Sequence, residues 1–106
     1  MDALPAAISE HLGEIRALCV KYHVKRLAVF GSAVKGTFDP ATSDVDFVVE
    51  FRKIPEAAGL HVYFDFKFAL RECLDRTVDL VEISAVKNRY FREILEETQR
   101  DIYAAA

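Results

Sequence analysis

Three aspartates and one Gly-Ser pair are the residues whose types and spacing could do chemistry together. Asp44 and Asp46 flank Val45, Asp79 sits in Val78-Asp79-Leu80-Val81, and Gly31-Ser32 directly follows the apolar run Leu27-Ala28-Val29-Phe30. In a strand, a two-residue step puts Asp44 and Asp46 on one face. Two unit negative charges about 4 Å apart repel by roughly 4 kcal/mol at an effective dielectric of 20. A fold has little reason to build that repulsion into the mouth of an apolar sheet unless a cation relieves it. Hard carboxylate oxygens suit Mg²⁺, which prefers octahedral oxygen ligands and keeps substrate phosphates in its shell. Taken singly, each feature has an ordinary explanation: turn and cap chemistry for Asp-x-Asp after Ser43, a plain turn for Gly-Ser, a solvated edge position for Asp79. Their combination, each placed by a strand, favours a metal site.

The elements that must position these residues follow from the hydrophobic pattern. Residues 26–30 form a short apolar run ending at Gly31, which reads as a buried strand. Residues 31–43 hold Gly31, Ser32, Gly36, Asp39, Pro40, Thr42 and Ser43, which is turn chemistry. Over 44–51, Val45, Phe47, Val49 and Phe51 alternate with Asp44, Asp46, Val48 and Glu50, the signature of a strand. A third strand is expected over 78–83, with Asp79, Val81 and Ile83 on one face. Helical period runs over 4–22, with Pro5 in the first turn, and again over 85–103 through Tyr90, Ile94, Leu95, Thr98, Ile102 and Tyr103. Residues 56–75 fit two patterns: Val62, Phe64, Phe66, Phe68 and Leu70 alternate as in a strand, while Leu60, Tyr63, Phe64, Leu70 and Leu74 fit a helical stripe.

With 106 residues and 52% hydrophobic content, the chain is expected to form one domain, residues 1–106, with a core of its own. The longest apolar runs are four residues, and Asp2 and Glu10 stand where a secretory signal would be basic, so a cytoplasmic protein without a membrane span is expected. Cys19 and Cys73 lack CxxC spacing and are expected to be two buried free thiols. A net charge of −3 argues against direct nucleic-acid binding by phosphate neutralisation. His11, His23 and His61 show no mutual spacing that suggests a site.

The stretches Leu27-Ala28-Val29-Phe30-Gly31-Ser32-Ala33-Val34-Lys35-Gly36, Ser43-Asp44-Val45-Asp46-Phe47-Val48-Val49-Glu50-Phe51 and Val78-Asp79-Leu80-Val81 resemble the minimal nucleotidyltransferases of the polymerase-β-like superfamily. That resemblance implies an α/β (α+β) fold, a small mixed sheet flanked by helices, and settles 56–75 as a helix. It also implies transfer of a nucleoside monophosphate, AMP from ATP, to a hydroxyl. Asp44, Asp46 and Asp79 would be catalytic metal ligands for two Mg²⁺ ions, with Asp79 near the acceptor. Gly31, Ser32 and Lys35 would bind the nucleotide. Relatives usually carry Ala and Arg where Val34 and Lys35 stand; Lys keeps the charge but lacks the bidentate fork that suits phosphate.

The chain leaves little room for an acceptor-gripping domain, so a partner protein is expected to supply the acceptor. Small members of the family pair with HEPN-domain toxins, and the resemblance implies an antitoxin that adenylylates a toxin tyrosine. Two other readings remain: an antitoxin acting by occlusion without catalysis, and an enzyme acting on a small hydroxylated molecule such as an aminoglycoside. On the 56–75 helix, apolar residues nearly encircle the axis. Leu60, Phe64 and Phe68 lie on one flank, Tyr63, Phe66, Leu70, Cys73 and Leu74 on another, so one flank is expected to meet a second chain, a partner or another copy.

Overall fold

The computed structural model describes residues 6–30, 45–53 and 56–105. The elements run α1 (Ala6–Ser9), α2 (Leu12–Lys21), β1 (Val24–Phe30), β2 (Val45–Phe51), α3 (Glu56–Leu74), β3 (Val78–Glu82), a 3₁₀ turn (Ile83–Ala85), α4 (Arg89–Thr98) and β4 (Arg100–Ala104). The strands form one sheet in the order β3-β2-β1-β4. β2 and β3 run parallel, whereas β1 pairs antiparallel with both β2 and β4, so the sheet is mixed. Parallel neighbours need a crossover, and the 19 residues of α3 supply it.

Strand alternation decides which side each residue takes. Leu27 and Val29 of β1, Val45, Phe47 and Val49 of β2, and Val78 and Leu80 of β3 are buried in the main core. Ile15 and Cys19 of α2 and Phe66, Leu70 and Leu74 of α3 meet them there. The intervening residues Ala28 and Val48 face the other side, where Leu95 of α4 covers them. The sheet is thus a middle layer, with α2 and α3 on one face and α4 on the other.

The ambiguous 56–75 segment is helical, and its buried stripe is Phe66, Leu70 and Leu74 while Phe64 and Phe68 are 57% and 61% exposed. Two helical expectations are corrected. The helix expected over 4–22 is broken at Glu10 and His11 into α1 and α2, which still buries both Ile8 and Ile15. The helix expected over 85–103 is confined to Arg89–Thr98. Asn88 starts it, its side-chain oxygen accepting from the backbone N–H groups of Tyr90 and Phe91, and an extended Gln99 (ψ 152°) ends it. Arg100–Ala104 then pairs along the free edge of β1 and buries Ile102 in the main core. The strand expected over 78–83 gives way at Ile83 to the 3₁₀ turn. Of the two cysteines, Cys19 is buried and Cys73 only partly so. No described helix is long and apolar enough to cross a membrane.

Candidate active site

The expected site draws on three strands, and the register shows how they meet. β1 ends at Phe30, whose partner across the antiparallel pair is Asp46 of β2. Asp46 is in turn the register partner of Asp79 on β3. Phe30, Asp46 and Asp79 therefore form one row across the sheet. Register partners point to the same face, and neighbouring strands lie about 4.8 Å apart. The Asp46 and Asp79 side chains thus project side by side, on the face that also carries Val48. Asp46 is half-buried and Asp79 exposed.

The sequence explains why these residues share a face. Val45, Phe47 and Val49 commit β2 to the main core, which forces Asp46 to the opposite face. Val78 and Leu80 do the same for β3 and fix Asp79. The backbone N–H of Val45 donates to Thr77 O at 3.2 Å, so the ladder holds the start of β2 against the residue before β3. The row is anchored at its other end by Phe30, whose ring meets Phe91 of α4 edge-on with centroids 6.3 Å apart.

Gly31, Ser32, Lys35 and Asp44, four of the expected site residues, lie outside the described residues. The structure itself brings together Asp46 and Asp79. Their donor set is all oxygen and all anionic, which fits a hard divalent cation and gives a softer metal no thiolate or imidazole to prefer.

One contributor was not legible as such. Tyr63 of α3, which reads as a packing residue in the sequence, donates its hydroxyl hydrogen bond to the backbone carbonyl of Leu80, next to Asp79. Burial raises its pKa first, and the nearby charges of Glu82 and Asp79 add to the rise. Tyr63 therefore clamps the outer edge of β3 to α3 at the site. A tyrosine on an apolar helical stripe gives no sequence signal for that bond. Glu50, on the same face as Asp46, is instead held by Lys25 at 3.6 Å.

The model of the nucleotidyltransferase domain family matches residues 12–101. The protein adenylyltransferase MntA of Thermococcus cleftensis is 30% identical over 97 residues, 92% of this chain and 91% of that protein. A solved structure described as a candidate minimal nucleotidyltransferase superposes with a TM-score of 0.74 at 25% identity, covering 87% of this chain and 89% of that one. A chain of the solved complex between a tri-AMPylated Shewanella oneidensis HEPN toxin and MNT antitoxin shares the fold with a TM-score of 0.64 at 15% identity, covering 92% of this chain and 72% of that one.

Proposed function

This chain belongs to the nucleotidyltransferase domain family, and on that footing we propose that it transfers AMP from ATP to a tyrosine hydroxyl of a HEPN-domain toxin and acts as its antitoxin. The observation that carries the reading is the Asp46–Asp79 register pair beside the end of β1. The similarity to a protein adenylyltransferase over nearly the whole chain supports the reaction class. The fold shared with a HEPN toxin–antitoxin complex supports the partner. ATP as the donor fits a cytoplasmic reaction.

In this proposal Asp44 and Asp46 would hold two Mg²⁺ ions, and Asp79 would be a further ligand to one of them. When bound, the metal neutralises the triphosphate and polarises the attacking hydroxyl. Asp79 accepts the tyrosine proton, being a carboxylate at the acceptor side of the row. The tyrosine oxygen bonds to the α-phosphorus as the bond to the bridging oxygen breaks, and pyrophosphate leaves. Gly31 lets the backbone approach the triphosphate, Ser32 donates hydrogen bonds to it, and Lys35 contributes a point charge. Tyr63 keeps β3, and with it Asp79, in register.

The test is incubation with labelled ATP, Mg²⁺ and a HEPN-domain protein, taken from a gene adjacent to this chain's own where one is encoded there. The expected result is label on a tyrosine of that protein, lost with chelator and with Asp46→Asn. Absence of label from the wild-type reaction overturns the proposal. A second reading, silencing by occlusion, is favoured by the exposed Phe64 and Phe68 on α3, which offer a contact surface independent of the aspartates. Asp79→Asn separates the two: under transfer it binds the toxin without silencing it, under occlusion it silences as well as wild type.

A further inference from the structure

A second group of ligand atoms lies where α2 meets the end of α3, across the sheet from the face that carries the aspartate row. His11 and Glu14 flank the start of α2, and Cys73 sits in the last turn of α3. The Cys73 thiol donates to Glu14 Oε2 at 3.2 Å, and His11 Nδ1 stands 3.5 Å from the same oxygen. One ligand atom from each residue falls within 4.8 Å of the others. His11 Nδ1 is shielded from solvent yet makes no hydrogen bond. A shielded imidazole nitrogen without a partner is costly, and the ordinary remedies are a donor, a water or a metal.

From this geometry we propose that His11, Glu14 and Cys73 form a site for a borderline-soft divalent cation, Zn²⁺ by chemical class, that ties α2 to α3. Tetrahedral zinc with bonds of about 2.0–2.3 Å to one nitrogen, one oxygen and one sulfur holds those ligand atoms about 3.3–3.6 Å apart. Two of the three separations, 3.2 and 3.5 Å, are already within about a tenth of an ångström of that range. The third closes by about 1 Å at most, within reach of a side-chain rotation. The cation sits where one thiol proton is released, so a metal–sulfur bond replaces the bond from the thiol to Glu14. The fourth position is left for water or a donor from another molecule. A nitrogen, oxygen and sulfur set discriminates against Mg²⁺, which takes oxygen ligands. The site is therefore chemically orthogonal to the aspartate row, and the proposal does not rest on the transferase reading. His11 and Glu14 are one helical turn apart in sequence, but Cys73 arrives from 59 residues away, so only the fold assembles the set.

The test uses the untagged full chain and Co²⁺ as a spectroscopic stand-in for Zn²⁺, in the presence of excess Mg²⁺ to occupy oxygen-only sites. One equivalent of Co²⁺ is expected to produce a thiolate-to-metal charge-transfer band, displaced by one equivalent of Zn²⁺. Cys73→Ser should abolish the band, and His11→Ala should weaken binding by tenfold or more. Asp46→Asn should leave the band unchanged, because that residue belongs to the other site. Circular dichroism of each variant reports that the fold is retained. As a second readout, Zn²⁺ should raise the melting temperature of the wild type and not of Cys73→Ser. No band at millimolar Co²⁺, or a band that survives Cys73→Ser and so belongs to Cys19, overturns the proposal.

Discussion

Asp46 and Asp79 are register partners on the parallel strands β2 and β3, two carboxylates side by side on one face of the sheet with no basic residue between them in the row. The third position of that row, across β1, is Phe30. Side chains projecting in parallel from strands about 4.8 Å apart repel by roughly 3 kcal/mol at an effective dielectric of 20. A divalent cation held by both carboxylates, as proposed above, would relieve that repulsion.

Neutralising one member of the pair separates chemistry from stability. Asp46→Asn is expected to abolish nucleotide transfer. Without divalent metal its melting temperature should equal or exceed that of the wild type, because the substitution removes the repulsion while keeping the side chain's shape and one acceptor oxygen. Thermal denaturation in chelator, beside a transfer assay in Mg²⁺, checks both parts. A variant that melts far below wild type would assign Asp46 a structural role instead.

The strands and the main core were legible because alternation is a local signal. Val45, Phe47 and Val49 alternate with Asp46 and Val48, and no other element is needed to assign their faces. The helix of 56–74 was legible only in part: its residues fit two periods, and the family resemblance chose between them. β4 was not legible, because Ile94, Thr98 and Ile102 are spaced by four and continue a helical stripe. What makes Arg100–Ala104 a strand is the open edge of β1, 70-odd residues earlier in the chain. The bidentate pair of Arg26 with Asp101, at 3.0 and 3.1 Å, spans that distance. The same holds for the bond from Tyr63 to Leu80 and for the meeting of Cys73 with Glu14. Each is a contact between residues that no short window contains. Of the expected site, Asp46 and Asp79 are placed by strand parity, while Gly31, Ser32, Lys35 and Asp44 fall outside the described residues.

The helix boundary that the periodicity overran can be tested at its cap. Asn88 satisfies two backbone N–H groups at the start of α4, with distances of 2.9 Å from Tyr90 and 3.1 Å from Phe91. Asn88→Ala leaves both without that acceptor and should cost about 1 kcal/mol. Asn88→Asp keeps the acceptor and adds a charge that favours the helix N-terminus, so it should match or exceed wild type. Urea denaturation of the two variants gives the comparison.

Cys19 sets a pH dependence with a definite sign. Burial among Ile15, Leu27 and Leu70 pushes its thiol pKa from 9.0 up to about 12. Above pH 9 the unfolded chain loses this proton while the folded chain keeps it. The native state then binds more protons, and stability falls as pH rises, by up to about 1.4 kcal/mol per pH unit from this one group. The contribution is intact below pH 9 and is lost towards pH 12. Denaturation curves at pH 8 and pH 10 should therefore differ less for Cys19→Ala than for wild type, although the variant starts from a lower stability because it leaves a small void. An equal pH dependence in the two proteins would show that the thiol ionises as readily folded as unfolded.

Phe64 and Phe68 stand one turn apart on α3 and are 57% and 61% exposed, while Phe66, between them in sequence, is fully buried. The helix thus spends one aromatic on the core and leaves two on its outer flank, four residues apart and so on one stripe. Covering an exposed aromatic at an interface is worth roughly 1.5–3 kcal/mol by area. Aromatic anchors of this kind dominate association, and rim charges add little. Phe68→Asp should therefore weaken association with the proposed HEPN-domain partner, or with a second copy of this chain, by tenfold or more. The monomer should stay folded, because a carboxylate at this exposed position is solvated. Phe66→Asp is the contrasting variant: it places an unpaired charge in the main core and should unfold the domain. Circular dichroism and size-exclusion chromatography with and without the partner distinguish the outcomes. If Phe68→Asp loses its helical signal, or associates as tightly as wild type, the outer flank of α3 is not the contact surface.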